Sequence, residues 1–247
     1  MCPSSLPTII VPARLASVRF PGKLLADAGG KPLILRTAER LRQEVPECEV
    51  YFAVDGDELA QPLRDEGFDV LLTDPDLPSG TDRIAEANRI LGRKTVINVQ
   101  ADEPMVERSH VLALAAALDK ENAAMATLAV PFEHEEDFLD PNQVKVVLDK
   151  EGYALYFSRA PIPHPRDTGE ERWSGKDPFA YKHLGMYAYE SSFLDSYSQC
   201  EQGVLERVER LEQLRALERG FRIGVSIVAK ATIGVDLPED LENLSFC

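Results

Sequence analysis

The chain has 247 residues, with 42 Asp+Glu against 27 Lys+Arg, for a formal net charge of −15. So acidic a surface disfavours a general nucleic-acid binder, which gains affinity by releasing counterions through clustered Lys and Arg, and it disfavours an anionic membrane. At 44% hydrophobic and 28% charged the composition is that of a globular protein, and the length suits one large domain or two small ones.

In chain order, short β-branched runs alternate with helical patterns, the signature of βαβ units and a largely parallel sheet. A strand is expected over Thr8–Pro12, then a helix opened by Pro32 with Leu33, Leu35, Ala38 and Leu41 on one face, then a strand over Val50–Val54. A helix over Glu58–Glu66, a strand over Val70–Leu72, a helix over Thr81–Leu91 and a strand over Thr95–Val99 follow. A helix over Arg108–Lys120 and a strand over Met125–Val130 complete a doubly wound layer in the first 130 residues. Beyond it, Val144–Leu148 and Ala154–Ser158 flank a Gly-containing turn and read as an antiparallel hairpin. Ala160–Pro178 lacks hydrophobic periodicity and reads as a long exposed loop. His183–Tyr189 alternates as a strand, and Ser191–Tyr197 reads as a short helix. Val204–Arg219 reads as an amphipathic helix with Val204, Val208, Leu211, Leu214 and Leu217 inward, before a final strand and helix.

Charge and cysteine spacing narrow the class. Between Met1 and Arg42 seven basic residues face only Asp27 and Glu39, so this stretch carries +5 and the remainder −20. Such a cationic island is a candidate anion site. The four cysteines, Cys2, Cys48, Cys200 and Cys247, form no Cys-x-x-Cys pair, so reduced thiols in a cytoplasm are expected. The first residues lack a charged and apolar leader pattern, and no stretch approaches the roughly eighteen apolar residues of a membrane-spanning helix, so no membrane insertion is expected.

The candidate chemistry begins directly after the first strand, where Arg14, Arg19 and Lys23 fall within ten residues. In open α/β sheets ligands lie beyond the carboxyl ends of the strands, and Arg and Lys there suit phosphate oxygens, although a solvated basic loop would read the same way. No Gly-x-Gly-x-x-Gly or Walker lysine motif occurs, which disfavours a nicotinamide dehydrogenase and a P-loop NTPase. Asp102 lies three residues past the apolar end of the Thr95–Val99 strand, a position from which its carboxylate can enter a cleft.

The string Ile10-Val11-Pro12-Ala13-Arg14 through Pro21-Gly22-Lys23 resembles the signature of sugar-activating nucleotidyltransferases, and specifically the 3-deoxy-manno-octulosonate (Kdo) cytidylyltransferase family. Further resemblances follow in the family's order: Ser79 to Arg83, Asn98 to Pro104, Val144 to Asp149, Tyr153 to Arg159, His183 to Tyr187, Leu211 to Arg215 and Gly234 to Asp236. The resemblance implies an α/β, Rossmann-like nucleotidyltransferase fold with a mostly parallel mixed central sheet and a small antiparallel dimerisation subdomain. It implies one nucleotidyltransferase domain, with residues 1–130 mainly nucleotide-binding and 131–247 carrying sugar binding and dimerisation, the C-terminal part packing back on the sheet. The activity implied is Mg²⁺-dependent transfer from CTP to Kdo, giving CMP-Kdo and diphosphate for lipopolysaccharide biosynthesis, by a cytoplasmic homodimer.

The same resemblance implies roles for individual residues. Lys23, Asp102 and Asp236 would be catalytic, Asp102 and Asp236 as the metal ligands; Ala13, Arg14, Arg19, Lys23, Ser79, Gly80 and Arg83 would meet the nucleotide. Gln100, Arg159, His183, Tyr187, Glu212 and Gln213 would meet the sugar acid. Competing roles stay open at several positions. Ser79 and Asp236 each suit a helix N-cap, Arg83 suits a neighbouring carboxylate, His183 a structural position, and Glu212 and Gln213 a solvated helical face. Ala101, Arg207 and Leu237 depart from the family's usual Gly, His and capping residue. A related acid such as 8-amino-Kdo or a sialic acid is the nearest alternative substrate, and a non-catalytic sugar-nucleotide sensor is the alternative of another class.

Overall fold

The run Thr8-Ile9-Ile10-Val11-Pro12-Ala13 has no polar side to offer water, and it forms a strand, β1 (Thr8–Ala13), buried at every position. In this computed structural model, which describes residues 7–17, 20–166 and 178–244, β1 lies between β2 (Val50–Val54) and β4 (Thr95–Asn98), parallel to both. The strand β3 (Asp69–Leu72) continues the parallel set beyond β2. Parallel neighbours need crossovers, supplied by α1 (Leu33–Glu44), α2 (Asp57–Asp65) and α3 (Gly80–Leu91). The start of α3 follows from its sequence: Ser79 stands in extended conformation and its hydroxyl accepts from the Asp82 N–H at 3.2 Å, while Gly92 closes the helix at φ 65°.

The chain separates into two compact units. The first holds the residues up to Val111, Glu190–Ser198 and the segment from Thr232 onward; the second holds Leu112–Tyr189 and Gln199–Ala231. The helix α4 (Arg108–Leu118) contains the point of division. Within the second unit, β5 (Ala123–Pro131) pairs with β9 (Arg222–Ile227) in parallel and with β8 (Tyr181–Glu190) antiparallel. The hairpin expected from the sequence is present as β6 (Lys145–Leu148) and β7 (Ala154–Ser158). Its turn is tied by Asp149, whose carboxylate accepts from the N–H groups of Glu151 and Tyr153 at 2.9 and 2.8 Å. A short helix, α5 (Glu135–Leu139), buries Phe138 edge-on against Phe132 and Phe179. In the first unit α6 (Ser191–Tyr197) packs on α3, and α9 (Pro238–Asn243) ends the described chain.

One expected element is overturned. Val204–Arg219 is not a continuous helix: it is α7 (Val204–Glu209), a break at Arg210 with φ 54°, and α8 (Gln213–Glu218). Val204 and Val208, expected inward, are 60% and 77% exposed, whereas Glu206 and Arg215 are buried. The reason is an ion pair. Arg215 donates through Nε and Nη2 to the two Glu206 carboxylate oxygens at 2.7 and 2.5 Å, a bidentate match that meets the cost of burying both charges and orients α7 around Glu206. The expected loop is irregular over Ala160–Arg166, and its remainder, 167–177, lies outside the described residues.

Candidate active site

Immediately beyond β1 and β4 the first unit carries an open cavity of about 320 Å³, lined among others by Ala13, Arg14, Lys23, Gln100, Asp102 and Asp236. Each arrives by a local cause. Arg14 follows the last residue of β1 and is exposed. Lys23 opens a 3-10 turn, Lys23–Leu25, entered through Gly22 at φ 67°, a left-handed conformation that a side-chain-bearing residue adopts only with strain. Arg19 lies outside the described residues.

The cavity centres on one ammonium. Lys23 Nζ donates to Asp102 Oδ2 and, at 2.7 Å, to the Val235 carbonyl, and it stands 3.9 Å from Asp236 Oδ1. The Val235 N–H in turn donates to the Asp102 carbonyl at 2.9 Å, so two segments distant in sequence are stitched side by side. The bonds that cap α9 come from Asp240, whose Oδ2 accepts from the N–H groups of Asp236 and Leu237, both at 2.8 Å; Leu237 leaves the cap to Asp240 while the Asp236 carboxylate faces Lys23. Ala101 is buried, and its carbonyl accepts from Thr37 Oγ1 at 2.8 Å, which pins the backbone between Gln100 and Asp102. Beside them, burial pushes the Glu103 carboxyl up to about 7, with Asp102 and Asp236 adding to the rise and a Thr232 hydrogen bond and Lys23 opposing it.

Ser79, Gly80 and Arg83 sit at the start of α3. Gly80 leaves a Cβ position 3.6 Å from Pro12 Cγ, an ordinary contact, so bulk there is tolerated. Arg83 is buried and donates to Thr73 Oγ1; burial pulls its guanidinium down from the usual value, and Asp55 and Glu86 oppose this.

The remaining candidates belong to the second unit. The hydroxyl of Thr127 in β5 donates toward the carbonyls of Leu184 and Met186, at 3.0 and 2.8 Å, and lies 3.0 Å from His183 Nε2. A hydroxyl has one proton to give, so one proton serves these contacts, and the direction of the His183 contact follows the ring's tautomer. Burial keeps this ring neutral, pushed down to about 3, and Phe157 meets it edge-on at 5.0 Å. Gly185 and Met186 have no register partner on β5, so β8 bulges here, and the Thr127 hydroxyl closes the bulge. The same bulge sets Tyr187, whose hydroxyl donates to Gln213 Oε1 at 3.3 Å.

Gln213 is the first residue of α8 and is buried, not on a solvated face, while Glu212 precedes the helix and is exposed. Arg159 is held by Glu209: its N–H reaches Glu209 Oε2 at 3.0 Å and its Nε the Glu209 carbonyl at 2.8 Å, while Nη1 donates to the Pro141 carbonyl at 3.1 Å. Arg207 is exposed and donates to the Gln202 carbonyl at 2.5 Å. Sequence reasoning passed over Thr127, Glu209 and Glu103. A lone hydroxyl inside the apolar run Met125–Val130 was the available signal for Thr127; nothing in the local pattern marked Glu209.

A metal fits the donor set of the first unit. Mg²⁺ prefers oxygen and usually takes only one or two carboxylates from a protein, the rest of its shell coming from water and phosphate. Asp102 and Asp236 converge on one positive charge already, which is the electrostatic demand of a cation site. Among the described residues no group of three or more His, Cys, Asp or Glu side chains is placed to hold a metal ion.

Comparisons with known proteins give the family. The family model described as cytidylyltransferase matches residues 8–226. A 3-deoxy-manno-octulosonate cytidylyltransferase from Geobacter sulfurreducens is 44% identical over 242 residues, covering 96% of this chain and 97% of its own. A solved structure of CMP:2-keto-3-deoxy-manno-octonic acid synthetase complexed with CTP matches at a TM-score of 0.87 and 38% identity, over 97% of this chain and 96% of that one. A cytidylyltransferase from Leptospira borgpetersenii, 14% identical with a TM-score of 0.61 over 96% of this chain and 84% of its own, shares the fold alone. The chain belongs to the cytidylyltransferase family, among the 3-deoxy-manno-octulosonate cytidylyltransferases, nucleotidyltransferases of mixed α/β fold with a mostly parallel central sheet.

Proposed function

We propose that this chain transfers a cytidylyl group from CTP to Kdo, giving CMP-Kdo and diphosphate. The observation that carries the reading is the Lys23 ammonium bound to Asp102 and facing Asp236 in the cavity beyond β1 and β4. In the reaction the anomeric oxygen of the sugar acid bonds to the α-phosphorus, the bond from that phosphorus to the β-bridging oxygen breaks, diphosphate leaves and the hydroxyl proton is lost to solvent. Arg14, Arg19 and Lys23 hold the triphosphate, the two arginines as planar forks and the lysine as a point charge. Ala13, Ser79, Gly80 and Arg83 border the nucleoside. Asp102 and Asp236 would hold Mg²⁺, which when bound neutralises phosphate charge and eases deprotonation of the attacking hydroxyl. Positioning and charge neutralisation do the rest.

For the sugar acid we propose Gln100 in the first unit and, taken by itself, a polar set within the second unit. The neutral His183 ring keeps one nitrogen on the Thr127 hydroxyl and offers the other to a sugar hydroxyl. Tyr187 and Gln213 form a directional pair for another hydroxyl, with Glu212 beside them, and Arg159, held by Glu209, faces the acid's carboxylate. We further propose a homodimer through the hairpin region, where Leu155 of β7 stays 60% exposed, and a cytoplasmic location in lipopolysaccharide biosynthesis, supported by Cys48, a thiol outside any disulfide. No described helix is long and apolar enough to cross a membrane. A diphosphate-release assay crosses CTP, UTP and ATP with Kdo, 8-amino-Kdo and N-acetylneuraminate. Release with CTP and Kdo is expected; release confined to another acid moves the substrate, and none in any combination removes the enzymatic reading.

A further inference from the structure

Asp236 lies on a segment without regular structure, between the end of β9 and the start of α9. Its position therefore depends on what that segment rests against, and at Gly234 it rests on Glu103. The Thr232 side chain lies near enough to the Glu103 carboxyl to favour its charged form. Gly234 lies so close that an added Cβ would come within 3.0 Å of Oε1 and 3.3 Å of Cδ, nearer than side chains ordinarily tolerate. Between these two contacts and Asp236, the Val235 N–H is fixed to the Asp102 carbonyl at 2.9 Å. Glu103 thus forms a floor under residues 232–234 from a backbone position directly after Asp102. Packing alone does not call for a carboxyl here: Oε2 is buried without a hydrogen-bond partner, and a desolvated oxygen left unpaired costs stability that an apolar side chain would not.

We propose that Glu103 is a positioning residue for metal binding, setting the distance between the Asp102 and Asp236 carboxylates by seating the Thr232–Gly234 backbone on its own carboxyl group. This rests on the reading of those two aspartates as metal ligands. Glu103 is not among the residues that line the cavity, and its effect passes through Asp236.

The test titrates Mn²⁺ into the full chain in the presence of CTP and follows water-proton relaxation, which separates the protein-bound ion from Mn²⁺–CTP in solution. Outer partners of metal ligands commonly change affinity about 10- to 100-fold, so Glu103→Ala is expected to weaken Mn²⁺ binding about tenfold and to raise the half-saturating Mg²⁺ for diphosphate release by a like factor. CTP affinity should stay within about twofold, which a general loss of structure would not allow. Glu103→Gln keeps the size of the side chain seated against Gly234 and should bind within about threefold of the unaltered chain, whereas Gly234→Ala, pushing the floor from the other side, should weaken binding about three- to tenfold.

Wild-type Mn²⁺ affinity in a folded Glu103→Ala chain overturns the proposal, as does a Glu103→Gln chain as impaired as the alanine variant. Where Glu103→Ala does not fold, Gly234→Ala decides, and unchanged binding there overturns it. If the unaltered chain releases diphosphate but shows no protein-bound Mn²⁺, the positioning role falls and the transfer reading stands. If it binds Mn²⁺ but releases no diphosphate with any sugar acid, the transfer reading falls and the affinity series still decides the role of Glu103.

Discussion

Around Lys23 the polar groups are ions: an ammonium, two aspartates and the exposed Arg14, fed from strand ends and irregular segments. Around Thr127 they are neutral: a hydroxyl, a desolvated imidazole, a phenol and an amide, fed from paired strands and the first turn of α8. Ions act through fields that tolerate small displacements but respond to salt and to competing cations. Neutral donors and acceptors act through direction, and they discriminate because a wrong ligand leaves a buried group unpaired. The first arrangement suits a polyanion that is grasped as charge, the second a polyol that must be told from its relatives.

That contrast can be broken by substitution. Asp102→Asn should lower turnover at least ~100-fold, roughly 2.7 kcal/mol of transition-state stabilisation, with the circular-dichroism spectrum retained. Near-normal turnover at saturating Mg²⁺ would remove Asp102 from the metal. Lys23→Ala should lower kcat/KM for CTP by about 10- to 100-fold, as expected for losing a hydrogen bond to a charged group, while KM for the sugar acid moves little. Unchanged CTP kinetics would empty the ionic region of its central group.

The neutral region predicts a different signature. The His183 ring titrates near 3 when folded against 6.5 when free, because burial disfavours the charged form. The unfolded chain therefore binds the extra proton first, and the stabilisation is complete above pH 6.5 and is lost as pH falls toward 3. Between pH 7 and pH 5 the loss from this group should reach about 2 kcal/mol, visible as a flatter pH dependence of urea midpoints in His183→Gln than in the unaltered chain. Parallel pH curves would show that the ring is not held neutral. Tyr187→Phe should raise KM for the sugar acid by about three- to tenfold and leave KM for CTP alone, since it removes one neutral hydrogen bond of about 1 kcal/mol. Val208→Ser should change unfolding free energy by no more than about 0.5 kcal/mol, the ordinary effect at an exposed site, whereas a helix with Val208 inward would lose several times that.

The layered architecture was legible because it is written in apolar runs. Thr8–Ala13, Val50–Val54 and Thr95–Asn98 have to be covered on both faces, and the helical patterns between them supply the cover. In the ionic region Arg14 and Asp102 were legible because they follow strand ends, where an α/β sheet presents its side chains, whereas Asp236 was given only by the family resemblance. What stayed hidden was any feature resting on partners remote in sequence. The apolar spacing of Val204, Val208 and Leu211 gave a helical stripe, yet a buried Glu206–Arg215 pair decided which way α7 turns, and a charged residue destined for burial looks like a solvated one until its partner is known. The burial of Gln213 runs against the solvated-face alternative for the same reason, and Glu103 reads as an ordinary loop acid until Gly234 returns to it.

The Lys23–Asp102 contact bears on how the protein tolerates chelation. In small zinc domains the ion is itself the folding energy, and removing it unfolds the chain. Here the chain brings its own counter-ion to the acidic pair: Lys23 is anchored at once to Asp102 and to the Val235 backbone, and so ties the C-terminal segment to the loop after β4 through covalent residents of the fold. Stripping divalent ions with EDTA should therefore silence the enzyme without loosening it, a reversible off state in which melting temperature is indifferent to chelator and activity returns on adding Mg²⁺.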